Sequence, residues 1–278
     1  MNLLLFCILI AFGASVAGLL GSLTGMGGGI VIVPMLTVLF GVDLHYAMGA
    51  SLISVIGTSS GTAASYVKDG FSNIRLAIFL EIATTIGAIL GAYFVGIIKP
   101  EIIIFIFSVL LFYSAITNLI GRNSEMPPHG GGRIAKMFRL NGEYPNLMGE
   151  KINYSLIRVP QGFVLMFIAG NLSGLLGIGS GSAKVIAMDQ VMKIPYKVST
   201  TTSNLMIGIT AAASSGIYLN KGYIDPILVM PVLVGVLFGS FIGVRLLKIV
   251  STRLLRILFS IVVLILAVEM LRGILGSY

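Results

Sequence analysis

The sequence predicts an all-α, polytopic membrane protein of two inverted repeats, each with five hydrophobic segments, the second segment of each being short or re-entrant. Three observations carry this reading. Of 278 residues, 56% are hydrophobic and only 10% charged, against about 25% charged in an ordinary soluble domain. Most of the apolar runs reach the ~20 residues a helix needs to cross hydrocarbon. Finally, the chain matches itself without a gap when Gly25 is laid on Gly177, a shift of 152 positions. So few charges could not cover the surface of a soluble globule. That excludes a cytosolic enzyme, a nucleic-acid-binding domain and a disordered chain.

Five apolar runs come first, at about 3–24, 29–40, 47–66, 74–98 and 101–120. Five more occupy about 159–177, 181–192, 199–219, 225–247 and 252–274. The second run of each set has only a dozen residues, about 18 Å of helix. These two are half-length, re-entrant, or tilted and shielded by protein. The organisation read from this is a transmembrane repeat at 1–121, a polar linker at 122–158 and a second transmembrane repeat at 159–278. The linker holds Pro127-Pro128, Gly130-Gly131-Gly132 and a mixture of basic and apolar residues. It is read as extramembrane and able to lie on the membrane surface. The start, Met1-Asn2-Leu3, lacks the basic region of a cleaved signal peptide, so the first run is read as a retained span. Cys7 stands alone, and His45 and His129 both lie outside the apolar runs. Neither a disulfide framework nor a metal site is expected, and no cofactor is implied.

Under the 152-residue shift, Gly25-Met26-Gly27-Gly28-Gly29 falls on Gly177-Ile178-Gly179-Ser180-Gly181. Gly18 falls on Gly170, Ser51 on Ser203, Thr58 on Thr210, Gly70 on Gly222, and Gly87/Gly91 on Gly239/Gly243. Parity then fixes the relative orientation. With the linker cytoplasmic and each run changing side, 14 lysines and arginines lie inside, against Lys99, Lys221 and Arg272 outside. That bias is the positive-inside pattern, and it requires an odd number of crossings per half. The halves are therefore inverted, and both termini lie outside. The net charge of +8 is an orientation signal and names no nucleic-acid partner.

The densest glycine and polar chemistry of each half lies just before its short run. Such loops, unwound at membrane depth, are tolerated where protein or a water-filled cavity lines them. Glycine turns sharply there and leaves backbone N–H groups uncovered. A helix N-terminus following the loop favours an anion. Candidate substrate-binding residues are Thr24, Gly27, Gly28 and Gly29 in the first copy, and Gly179, Ser180, Gly181 and Ser182 in the second. The third run of each half adds hydroxyls and an amide able to donate to an oxyanion: Ser51, and Thr201, Thr202, Ser203 and Asn204. Gly87/Gly91 and Gly239/Gly243, four apart in long runs, instead read as close helix packing. Lys184 is the lysine or arginine placed well within an apolar run. It either pairs directly with an anion or bonds Asp189. Glu81 either carries a coupling proton or pairs with Arg75, and Asp189 is a second coupling candidate. Glu269 is expected to bond Arg272 at i+3.

Gly25-Met26-Gly27-Gly28-Gly29 with Pro34-Met35-Leu36, then Gly41 and Ala47-Met48-Gly49-Ala50-Ser51-Leu52, resembles the repeat signature of the sulfite exporter TauE/SafE family. A second copy begins at Gly177-Ile178-Gly179. The resemblance covers nearly the whole chain. It implies an inner-membrane permease that moves sulfite, sulfonates or related small anions, usually outward and without ATP. The second copy departs from the pattern: Ser180 stands for a glycine, Ile186 for Pro34, and Lys184 is added. The resulting expectation is a secondary transporter, not an enzyme, working by alternating access around paired glycine loops near the midplane. Its partners would be a small anion and the bilayer, and aromatic residues on runs 4 and 5 leave a homodimer open. The competing readings are an intramembrane enzyme acting on a phosphate or lipid-phosphate, and a cation permease. The first lacks a His or a grouped acid and base near a nucleophile.

Overall fold

Each apolar run folds as a helix because, in hydrocarbon, only a helix satisfies every backbone group internally. The structure is a computed structural model, and it describes residues 3–24, 27–68, 70–120, 132–145, 151–246 and 252–275. In chain order it contains α1 (Leu3–Thr24), α2 (Gly29–Pro34), α3 (Leu44–Lys68), α4 (Ile74–Phe94) and α5 (Pro100–Ile120). The linker contributes α6 (Arg133–Met137), β1 (Gly142–Pro145) and β2 (Lys151–Tyr154). The second half contains α7 (Val159–Leu176), α8 (Gly181–Ile186), α9 (Tyr196–Asn220), α10 (Pro226–Leu246) and α11 (Thr252–Leu275). By length and composition α1, α4, α5, α7 and α10 qualify as membrane spans among the described residues. The central α3 and α9, of 25 residues each, are less apolar because they carry the hydroxyl-rich faces.

The two short runs are half-length. Helix α2 continues into a π turn at Met35–Leu39, and α8 into one at Ala187–Val191. Each combined element reaches about 17 Å, half of a bilayer's hydrocarbon. Pro34 is the last residue of α2, and α8 passes into the same π turn with Ile186 at the equivalent position. Helices α8, α9 and α10 each start and end 152 residues after α2, α3 and α4. The duplication read in the sequence is thus a duplication of elements.

Side-chain neighbours give the directions. Helices α1 and α10 run parallel, since Gly235 abuts Ala11, Gly239 abuts Ser15 and Gly243 abuts Ser22. Helix α3 is parallel to α10 as well, with Gly49 against Tyr223 and Gly57 against Leu233. The α4–α7 pair repeats the arrangement, with Gly170 against Thr84 and Gly174 against Ala88. Helices α3 and α9, equivalent by the shift, run antiparallel: Tyr218 meets Met48, while Asn204 meets Ser59. Equivalent helices running in opposite directions make the repeats inverted. Helix α2 descends beside α1, with Gly28 near Ala17, Met35 near Gly13 and Phe40 near Phe6. It therefore returns through the depth that α1 has climbed.

The four-apart glycines pack helices. A Cβ on Gly87 or Gly91 would fall on the backbone of Phe167 or Asn171 in α7, and one on Gly239 on the carbonyl of Ser15 in α1. Between helices in lipid, dispersion at such close approach is a main source of stability.

The described part of the linker docks on the bundle, which its apolar residues demand. Ala135, Leu140, Tyr154 and Leu156 are buried with Leu76 and Leu80 of α4, Met166 of α7 and Val198 of α9. Met137 and Phe138 remain exposed. Strands β1 and β2 pair antiparallel with Gly142 opposite Tyr154. Pro127-Pro128, His129 and Gly130-Gly131 lie outside the described residues. Burial pushes the Tyr154 phenol up to about 12, so its hydroxyl stays neutral as a hydrogen-bond partner. Asn73 is the fastening. Its Oδ1 accepts the Leu76 N–H at 3.0 Å, capping α4. Its Nδ2 donates to the Leu140 carbonyl and the Tyr154 hydroxyl, each at 2.8 Å. Asn73→Ala removes a cap worth about 1 kcal/mol and leaves a buried carbonyl unpaired for about 1–3 kcal/mol more. Limited proteolysis is expected to cut the linker of the variant faster than that of wild type. Equal cutting rates would mean that Asn73 does not hold the linker.

Candidate functional site

The short elements begin where glycine turns the chain sharply. Gly27 lies at φ +74°, Gly177 at +67° and Gly179 at +71°. Ser180 follows at φ +46°, a left-handed conformation that costs a non-glycine residue about 1–2 kcal/mol. Its counterpart Gly28 sits at φ −65°. The second loop therefore winds one residue further than the first and holds a strained serine there. Gly25 and Met26, the opening of the first motif, lie outside the described residues.

Inversion brings the two loops together. A Cβ placed on Gly27 would lie 3.0 Å from Ile207 and 3.5 Å from Val55. One placed on Gly179 would lie 2.8 Å from Val55 and 3.4 Å from Ile207. Both loops thus rest on the same two side chains, one from α3 and one from α9, which are equivalent under the 152-residue shift. Gly29 closes the contact, since its Cβ would approach Ile178 of the other loop at 3.1 Å. Two apolar residues that sequence reasoning did not single out therefore stand where the loops meet. The signal for them was their equivalence under the shift, one helical turn past Ser51 and Ser203.

Around this point the polar residues fall into two groups. Ser51 lies against Gly29, 2.6 Å from where a Cβ there would sit. Its equivalent Ser203 donates to the Gly181 carbonyl at 3.2 Å. The hydroxyls of Ser51, Ser180 and Ser182 are buried without a hydrogen-bond partner, as is Asn204 Oδ1. Buried polar atoms are nearly always paired, so four on or beside two converging loops mark a polar lining. Asn204 also bridges the repeats. Its Nδ2 donates to the Ser22 carbonyl near the end of α1 at 3.4 Å, and its main-chain carbonyl accepts from the Ser59 hydroxyl at 2.6 Å. The remaining candidates face elsewhere. Thr24 donates to the Leu20 carbonyl one turn back at 2.9 Å. Thr201 donates to the Phe71 carbonyl at 3.0 Å, and Thr202 accepts the Asn73 N–H at 3.1 Å. These two threonines fasten the α3–α4 loop and, through Asn73, the linker.

The charged candidates form a constellation that the sequence did not pair. Lys184, fully buried, donates from Nζ to Thr210 Oγ1. Thr210 in turn donates to Glu81 Oε1 at 2.5 Å. The ammonium lies 3.8 Å from Glu81 Oε2, and Thr85 donates to Oε1 at 3.2 Å. The ion pair thus runs from α8 to α4 across α9, so Glu81 is satisfied by Lys184 where Arg75 had been considered. Both charges were visible inside apolar runs, but their partnership depends on the repeat-to-repeat packing. Asp189 is buried in the π turn after α8. Glu269 bonds Arg272 at 3.1 Å on the outer face of α11, as the i+3 spacing predicts. Among the described residues no three His, Cys, Asp or Glu side chains gather as a metal-ligand set.

The model of a family described as sulfite exporter TauE/SafE matches residues 9–270. The chain is similar to the probable membrane transporter protein YunE of Bacillus subtilis, at 26% identity over 273 residues, covering 96% of this chain and 97% of that protein. It is likewise similar to the probable membrane transporter protein YdhB of the same organism, at 27% identity over 230 residues, 82% of this chain and 85% of the relative. A third relative is the probable membrane transporter protein MJ0441 of Methanocaldococcus jannaschii, 26% identical over 273 residues, 93% of this chain and 92% of the relative. No solved structure matches the chain.

Proposed function

The chain belongs to the sulfite exporter TauE/SafE family and is a multi-pass membrane transporter rather than an enzyme, and from that premise we propose that it is a secondary exporter of small sulfur-containing anions such as sulfite or organosulfonates. One observation supports this most directly. Two glycine loops from inverted repeats converge at one depth, and around them Ser51, Ser180, Ser182 and Asn204 hold polar atoms with no hydrogen-bond partner. Small hydroxyls on a glycine-built turn suit an oxyanion, whose several oxygens accept many short hydrogen bonds. The inverted repeats support a reading of alternating access. One repeat tilts against the other about Val55 and Ile207, so each loop in turn is opened to one side of the membrane. The inner (plasma) membrane, a cytoplasmic linker and external termini complete the reading, on the positive-inside charge pattern.

The test is counterflow of labelled sulfite, sulfate, sulfoacetate and taurine in proteoliposomes, with and without a pH gradient. Sulfite or a sulfonate is expected to exchange, and no exchange of any small anion would defeat the assignment. Purified protein is also expected to melt later with the transported anion, since a ligand at a hundred times its Kd adds about 2.7 kcal/mol. Ser51→Ala deletes one hydrogen bond to a charged ligand, about 1.5–3 kcal/mol, or roughly a 10–100-fold loss in apparent affinity. The control is Ser108→Ala, which removes only a hydroxyl bonded at 2.8 Å to its own helix at Ile104. Equal affinities for the two variants would remove Ser51 from the binding site.

A further inference from the structure

Resting on the transporter reading, a second activity emerges from the charges beside the loops. Lys184 lies one helical turn beyond Gly181, and Thr210 one turn beyond Ile207, so the Lys184–Thr210–Glu81 chain begins one turn from where the loops meet. The equivalents of its two charged members under the shift are uncharged, Ile32 for Lys184 and Leu233 for Glu81. Packing of the inverted halves therefore does not by itself require this pair. A buried pair is a weak source of stability, because its desolvation offsets much of its attraction. Intramembrane charges, by contrast, commonly mark ion and proton pathways.

We propose that the Glu81–Lys184 pair couples the transported anion to a proton, exchanging one partner of the ion pair for the other. A proton from the aqueous phase bonds to Glu81 Oε2, the carboxylate oxygen without a hydrogen-bond partner, and converts the carboxylate to the acid. The Lys184 ammonium keeps its own protons and loses its counter-ion. The anion bound at the loops becomes that counter-ion. On the opposite side the anion leaves, Glu81 releases the proton to water, and the carboxylate pairs again with Lys184. Glu81 is the partner that takes the proton, since its carboxylate oxygens carry free lone pairs and the Lys184 ammonium has none.

The cycle is electrically consistent. Without substrate the site holds one negative and one positive group, and loaded with a monovalent anion it holds a neutral acid, the ammonium and the anion. Both forms are neutral, so both can change orientation without an uncompensated charge in hydrocarbon. The other ionisable groups on the surrounding elements lie at other positions along their helices. Helix α7, packed along α4, has no titratable residue. On α4 itself, Arg75 lies nearly two turns before Glu81 and is exposed. On α9, Tyr196 and Lys197 lie near the N-terminus and Tyr218 two turns beyond Thr210. Beyond α8, Asp189 lies in the π turn.

The experiment uses full-length protein in proteoliposomes with an internal pH dye, driven by whichever labelled anion exchanges, with the membrane potential clamped at several values. Wild type is expected to move protons one-for-one with a monovalent anion, in the same direction, at a rate insensitive to potential. Glu81→Gln is expected to keep anion-for-anion exchange, because both legs then carry the ammonium with its anion. Its proton-driven net flux should fall on the order of a hundredfold, since the empty return leaves one charge uncompensated. Glu81→Asp, which keeps a titratable carboxylate, should restore coupling. Anion flux in wild type without proton movement, or proton-coupled net flux in Glu81→Gln, would overturn the coupling and leave the transporter reading intact. Failure of wild type to exchange any anion would overturn the transporter reading, and the coupling with it.

Discussion

Gly239→Ala is expected to cost about 3 kcal/mol or more, the upper range of overpacking penalties. A single methyl at this position meets the backbone carbonyl of Ser15 well inside contact distance, and a backbone atom in a continuous helix cannot swing aside. The methyl would force α1 and α10 apart. Along the same seam Gly235 abuts the Ala11 backbone and Gly18 that of Val236, so the separation would loosen contacts over several turns. Gly174→Ala should behave alike at the symmetric α4–α7 seam, where its methyl meets the Ala88 carbonyl. Gly216→Ala is the matched control, because a Cβ on this α9 glycine has nothing within 4 Å. It should be neutral or gain about 0.5–1 kcal/mol from lower backbone entropy in the unfolded chain. Thermal unfolding in detergent, followed by monodispersity on size exclusion, reads all three. Gly239→Ala melting with Gly216→Ala would mean that the helices sit further apart than described.

The glycine seams also explain how much was legible beforehand. Position under a fixed shift is a property of sequence, so the repeats and the inverted arrangement followed from glycine spacing and charge counting. Run length showed the second elements to be short while leaving half-length, re-entrant and tilted forms open. The spacing of Gly87/Gly91 and Gly239/Gly243 further named a packing face. Which face meets which helix is a different kind of information. Nothing in the sequence of α4 specifies α7 as its neighbour, and that pairing decides where Glu81 points. Thr201 and Thr202 show the same limit. A hydroxyl at the start of a helix suits an anion or a loop carbonyl equally, and tertiary packing brought Phe71 and Asn73 to them. Val55 and Ile207 were hidden because an apolar residue in an apolar run carries no local signal. Symmetry alone singles them out, once the repeats are known to be antiparallel.

Lys184→Met is expected to be the most damaging substitution among the charged residues, and its repair by a second substitution is the sharper test. Removing the ammonium leaves Glu81, with 6% of its surface exposed, as a buried carboxylate without its cation. Breaking one partner out of a buried pair typically costs about 3–5 kcal/mol, whereas replacing both by neutral groups of similar volume is often neutral or stabilising. Methionine keeps the length of the lysine stem, so packing against α9 changes little. The double variant Lys184→Met with Glu81→Gln should therefore regain most of the lost stability, because glutamine can still accept from Thr210 and Thr85 and leaves no charge behind. A double-mutant cycle of melting temperatures measures this coupling directly. If the ion pair fixes the fold, both the single and the double variant melt early. If it exists for transport, the double variant melts near wild type and yet moves neither anion nor proton at the wild-type rate. That separation of stability from flux is the expected outcome, because a pair whose replacement leaves the fold intact is free to be broken and remade in each cycle.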